Sequence, residues 1–144
     1  MIRRATPSDI QLLSGFACAL WPDSDPQAHA DSFHDHLPQK DCAVFIAFDE
    51  QQAVGFAQCQ LRRDYVEGTD SSPVGYLEGI YVAPTFREKG HARALLRSCE
   101  VWAVSQGCTE FASDCELTNE DSLRFHLKTG FIEANRIICF TKKL

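Results

Sequence analysis

The segment VGYLEGIYVAPTFREKGHARALL, residues 74 to 96, constrains this chain more than any other stretch. Nine largely apolar residues suit the centre of a sheet, Pro84 ends the run, a charged turn holds one glycine, and an alanine- and leucine-rich helical pattern follows. Strand, proline, turn and helix in that order present a helix N-terminus, whose first N–H groups have no partner within the helix. Such an end attracts an anion.

The other elements follow from local signals. IRRA at 2 to 5 reads as a short strand, and TPSD at 6 to 9 starts a helix that carries Ile10, Leu13 and Ala17 on one face and stops at Trp21-Pro22. A second helix is expected from about 26 to 37, then strands at 42 to 48 and 53 to 66 around the turn DEQQ. After the strand at 74 to 82 come a helix at 90 to 106 stopped by Gly107, a strand at 108 to 113, and a helix from Asn119 to Lys128 ended by Gly130. FIEANRIICFTKKL is expected to form a closing strand or hairpin, and its RIICF segment offers pairing across a dimer. The pattern predicts one α/β domain over 1–144, with a mixed, mostly antiparallel central sheet flanked by helices.

At 144 residues and 44% hydrophobic, the chain can bury roughly two-thirds of its unfolded surface. No apolar run approaches the roughly 18 residues of a membrane span, so a cytoplasmic protein is expected. The seven cysteines are odd in number, form no CxxC pair and read as reduced core residues. His34 and His36, beside Asp31 and Asp35, lack further ligands and read as a solvated helix face, so no metal site is expected. A net charge of −6 disfavours nucleic acid and suits a cationic small molecule.

The turn Arg87-Glu88-Lys89-Gly90-His91-Ala92 matches R/Q-x-x-G-x-G/A, and it stands in register with the preceding strand, the following helix, Asn119 and LKTGF at 127 to 131. In this the chain resembles the GCN5-related N-acetyltransferases over essentially its whole length. No GK[ST] follows for a P-loop, and the further glycines of a dinucleotide fold are missing. WPDS at 21 to 24, DYVEGTDSSPVGYLEGIYVAP at 64 to 84 and CTEFASD at 108 to 114 are similar to the aminoglycoside 6′-N-acetyltransferases within that superfamily.

The resemblance implies acetyl-CoA as co-substrate, with contacts from Ile80, Tyr81, Val82, Glu88, Lys89, Gly90, His91, Ala92, Arg93 and Asn119. It implies an acceptor cleft at Trp21, Ser24, Tyr65, Glu78, Asp114 and Asn135. Backbone N–H groups from Lys89 to Arg93 are expected around the pyrophosphate, with Gly90 admitting close approach, and β-type pairing of Ile80 and Val82 with pantetheine. Gly79 is a candidate for a bulge that splays this strand. Glu78 and Asp114 are expected to divide two duties, holding ammonium groups and removing one proton. Trp21 and Tyr65 offer flat walls for sugar rings, or else join the core. Many superfamily members carry a tyrosine acid where FHLKTGF has His126, so the general acid stays open between His126 and solvent. An acyl-cysteine route through Cys59 or Cys115 is a further alternative, since thiols are good nucleophiles, although nothing pairs either with a base. The alternatives are another acceptor (a polyamine, an amino sugar or a peptide N-terminus) or a non-catalytic acyl-CoA-binding module.

Overall fold

The computed structural model describes residues 1–144. Five strands lie in chain order across one sheet: β1 Ile2–Arg4, β2 Cys42–Asp49, β3 Gln52–Arg62, β4 Val74–Val82 and β5 Phe111–Ser113. The first four pair antiparallel, and β5 pairs parallel to β4. The helices are α1 Ile10–Leu20, α2 Pro26–His36, α3 His91–Ser105 and α4 Glu120–Lys128. This is the mixed, mostly antiparallel sheet with flanking helices expected from the sequence.

Strand alternation divides the core in two. Ala43, Ala47, Ala57, Cys59 and Leu77 face α3, where Leu95, Leu96, Cys99, Trp102 and Ala103 form the buried side of the helix. Val44, Ile46 and Phe56 face the other way, against Leu13 and Ala17 of α1 and Phe33 of α2. Arg3 fastens β1 to the 3₁₀ turn before α1 with two hydrogen bonds to the buried Asp9 carboxylate, 2.8 and 2.7 Å.

Two departures position the site. β3 and β4 slip by one residue: Gly79 faces Gln58 while Leu77 faces Cys59. Glu78 is therefore the extra residue of a bulge, next to the glycine expected to mark it. β5 is shorter than the expected 108 to 113 and pairs only with Gly75, Tyr76 and Leu77. Beyond Leu77 the edge of β4 that faces β5 has no strand beside it.

The closing strand does not form within the chain. Residues 131 to 144 adopt no regular element, with Ile137, Ile138 and Phe140 from 61% to 87% exposed. A strand is stable only where its N–H and C=O groups meet a neighbouring ladder, and the tail meets none here.

Candidate active site

The β4 strand is followed by a 3₁₀ turn, Pro84–Phe86, and the glycine turn that opens α3. Ile80, Tyr81 and Val82 pair with Ala57, Phe56 and Gly55 on one side only, leaving alternate backbone groups free on the other. The Ile80 and Val82 side chains belong to the α3-side core, and the Tyr81 ring lies 5.8 Å from Phe16 of α1. These residues therefore offer a ligand their backbone.

At the turn, Glu88 has φ of 63° and Gly90, the residue preceding α3, has φ of 88°. The first helical bond runs from Ala94 N to Gly90 O at 3.0 Å, so the N–H groups of His91, Ala92 and Arg93 have no carbonyl within the helix. Space where a Gly90 side chain would stand is open. Lys89 Nζ lies 3.4 Å from Asp49, and Arg93 donates to the Lys128 carbonyl at the end of α4, 3.1 Å. His91 packs inward, its Nε2 3.8 Å from Asp49 and without a hydrogen-bond partner. Asn119 caps α4, accepting from Ser122 N at 3.0 Å.

On the opposite face of the sheet a cleft of about 390 Å³ is walled by Trp21, Gln58, Gln60 and Glu78, and roofed by His29, Ser32, Phe33 and His36 of α2. Trp21 packs against β4: a side chain at Gly79 would come within 2.8 Å of its indole. The indole stacks on His29 with centroids 5.6 Å apart, and His29 Nε2 lies 2.5 Å from the Ser24 hydroxyl, which also bonds the Trp21 carbonyl. Trp21 and Ser24 are thus held as one unit. His34 is solvated as expected, its side chain 80% exposed. His36 departs from that expectation, because it is two positions further along α2 and turns toward the sheet.

Glu78 accepts from Arg62 through both carboxylate oxygens, at 2.9 to 3.1 Å. Asp114, just past β5, accepts a short hydrogen bond from the Tyr76 hydroxyl. Burial, then that bond, push the Tyr76 phenol well above its ordinary pKa, so it stays a neutral donor. Tyr65 is 77% exposed, on the loop after β3. Asn135 stands apart from the cleft in the tail, 3.5 Å from Glu67. His126 is anchored to β5, its Nε2 2.8 Å from Ser113 Oγ.

The residues that sequence reasoning missed are His29, Ser32, Phe33, His36, Gln58 and Gln60 of the cleft, and Arg62 bound to Glu78. Gln58, Gln60 and Arg62 are the polar alternate positions of an otherwise apolar strand, which is the signal that marks a polar wall. No group of three or more His, Cys, Asp or Glu side chains is disposed to hold a metal ion, and no helix is long and apolar enough to cross a membrane.

The acetyltransferase (GNAT) family model matches residues 10–131. The chain belongs to the GNAT family. Among curated GNAT relatives it is 42% identical, over 87% of its length and 86% of theirs, to an aminoglycoside N(6′)-acetyltransferase type 1 of Acinetobacter haemolyticus. It is 38% identical to the enzyme of the same name from Salmonella enteritidis, over 99% and 98% of the two chains. The structure of AAC(6′)-Iy with the bisubstrate analogue CoA-S-monomethyl-acetylneamine superposes with a TM-score of 0.95, at 38% identity, covering 100% of this chain and 98% of that one. A metagenomic aminoglycoside acetyltransferase with sisomicin, 19% identical at a TM-score of 0.80, shares the fold. β4 thus contributes Glu78 to the cleft and, beyond Leu77, an edge without a neighbouring strand.

Proposed function

We propose that this chain transfers an acetyl group from acetyl-CoA to the 6′-amine of aminoglycosides, by direct attack of the amine on the thioester, within one acetyltransferase domain over 1–144. The observation that carries the reading is the bulge at Glu78. It places a carboxylate in a cleft for a cationic acceptor and, in the same strand, begins the open backbone edge.

Acetyl-CoA supplies the acyl group as a thioester. The residues present suit it: Ile80 to Val82 offer N–H and C=O groups to its amides, and the N–H groups from Lys89 to Arg93 offer an anion site at the helix end. Gly90 leaves room for close approach, and Glu88, Lys89 and Asn119 are assigned to the same co-substrate. An N–H of the β4 edge stabilises negative charge developing on the thioester carbonyl oxygen.

The acceptor amine is protonated near neutral pH and attacks only once neutral. Glu78 takes that proton, directly or through water, while Asp114 holds another ammonium group of the substrate. Trp21, fixed by Ser24 and His29, and the exposed Tyr65 flank the sugar rings. His126 or solvent protonates the departing thiolate. Asn135, in the tail, lies beside Glu67 of the loop that carries Tyr65. The exposed Ile137, Ile138 and Phe140 favour a homodimer in which this tail gains a strand partner. Ile138→Lys with sedimentation velocity tests this: it should convert a dimer to a monomer.

The test of function is CoA release with kanamycin, spermidine, a peptide mixture and no acceptor. Release is expected with kanamycin, and far less with an aminoglycoside bearing a 6′-hydroxyl. Release with peptides alone would move the acceptor elsewhere.

A further inference from the structure

Arg62 is a cation bound to Glu78, the one carboxylate that walls the cleft. Its Nε and Nη2 both reach Glu78 Oε1, at 3.1 and 2.9 Å, and Nη2 also reaches Oε2 at 3.0 Å. Its Cζ lies 3.4 Å from the centroid of the Tyr76 ring, and the Tyr76 hydroxyl donates to Asp114 Oδ2. Contact is therefore unbroken from Glu78 through Arg62 and Tyr76 to Asp114. The four groups sum to one negative charge: two carboxylates, one guanidinium and a neutral phenol. A counter-ion alone could be a lysine, whereas two-oxygen contact combined with stacking on a ring needs a planar guanidinium.

We propose that Arg62 is a positioning residue of the acceptor site: it holds the Glu78 carboxylate in one orientation and, stacked on Tyr76, couples it to Asp114. The proposal rests on the acetyl-transfer reading above. Arg62 acts through Glu78, and its own charge opposes capture of a polycation. Removing it should lower turnover without weakening substrate binding, the opposite of what loss of a substrate ligand does.

The experiment measures kcat and KM for kanamycin in Arg62→Met and Arg62→Lys, each normalised to the CoA-binding stoichiometry found by calorimetry, alone and in a Glu78→Gln background. Arg62→Met should lose about 10- to 100-fold in kcat with KM unchanged or lower, since small misplacements of reacting groups cost that much. Arg62→Lys should restore KM while leaving kcat low. In Glu78→Gln, Arg62→Met should add less than about a twofold further loss, because the group it positions is already disabled. Wild-type kcat in either single variant would overturn the proposal, as would a tenfold rise in KM at constant kcat. Should the methionine variant fail to fold, the lysine variant carries the test alone. One readout is independent of turnover: the Asp114 carboxyl ¹³C resonance should shift in Arg62→Lys, although Arg62 does not touch Asp114. An unmoved resonance overturns the coupling. Failure of wild type to acetylate kanamycin would sink the acetyl-transfer reading and leave the resonance to decide the coupling.

Discussion

His126 holds Ser113 at 2.8 Å through Nε2, while its Nδ1 lies 2.6 Å from the Ser122 carbonyl oxygen. A carbonyl only accepts, so Nδ1 carries a hydrogen, and in the neutral ring Nε2 accepts from the Ser113 hydroxyl. The imidazole thus ties α4 to the end of β5.

His126→Phe removes both nitrogens while roughly keeping ring volume. With both nitrogens already engaged, turnover should fall less than about tenfold, or about 1.4 kcal/mol, because an exposed thiolate of ordinary pKa leaves without a dedicated acid. Steady-state kinetics with CoA affinity measured in parallel checks this. A thousandfold loss at intact affinity would make His126 the acid.

Gly90→Ala and Gly90→Val test the turn. At φ of 88° any side chain is strained, by on the order of 1 kcal/mol, although nothing in the protein lies within 4 Å of an added Cβ. The folded protein should therefore lose little stability. Acetyl-CoA affinity should fall, and further for valine, whose branched side chain enters the space before the α3 N–H groups. Calorimetry showing unchanged CoA affinity in folded variants would remove the turn from the site.

Asp9 makes a prediction about acid. Hydrogen bonds from Arg3, outweighing the burial that opposes them, hold its carboxyl well below the usual carboxylate range. A group with a depressed folded pKa contributes fully above its unfolded value, near pH 4, and loses that contribution as pH falls further. Arg3 is 40% exposed, so water weakens the pair, and about 1–2 kcal/mol is the expected scale. Asp9→Asn should lower the melting temperature at pH 7 and flatten its decline between about pH 4 and pH 2, as thermal melts across that range would show.

What the sequence made legible was local. The β4 run, the glycine turn and the α3 stripe each carry their own signal, in apolar length, in a residue tolerant of positive φ, and in helical spacing. The bulge was legible to within one residue, because Gly79 advertises a missing side chain but not its cause. That cause is the Trp21 indole packed on the strand from α1. Arg62 was not legible as the partner of Glu78: alternation tells which face a strand residue occupies, not which residue lies beside it across a slipped register. The tail misled because RIICF has the composition of a strand, while strand formation depends on a partner ladder that the rest of the chain does not supply.

The last prediction concerns the two carboxylates, which have different neighbours. Glu78 is on the bulge with its side chain 22% exposed and bound by Arg62, while Asp114 is in the exposed segment after β5 and bound by Tyr76. Glu78→Gln and Asp114→Asn keep size and hydrogen-bonding capacity but remove charge, which separates ammonium binding from proton removal. A residue that only holds the polycation should, when neutralised, raise KM, leave kcat nearly unchanged and lose its effect at high salt. One that accepts the proton should, when neutralised, lower kcat by about 10²- to 10⁴-fold and abolish the acidic limb of the rate profile. The turnover defect is expected at Glu78, because β4 also presents the backbone edge offered to the thioester, and the binding defect at Asp114. Reversed patterns would exchange the two duties. Neither pattern, in folded variants of normal CoA affinity, would take both carboxylates out of the chemistry.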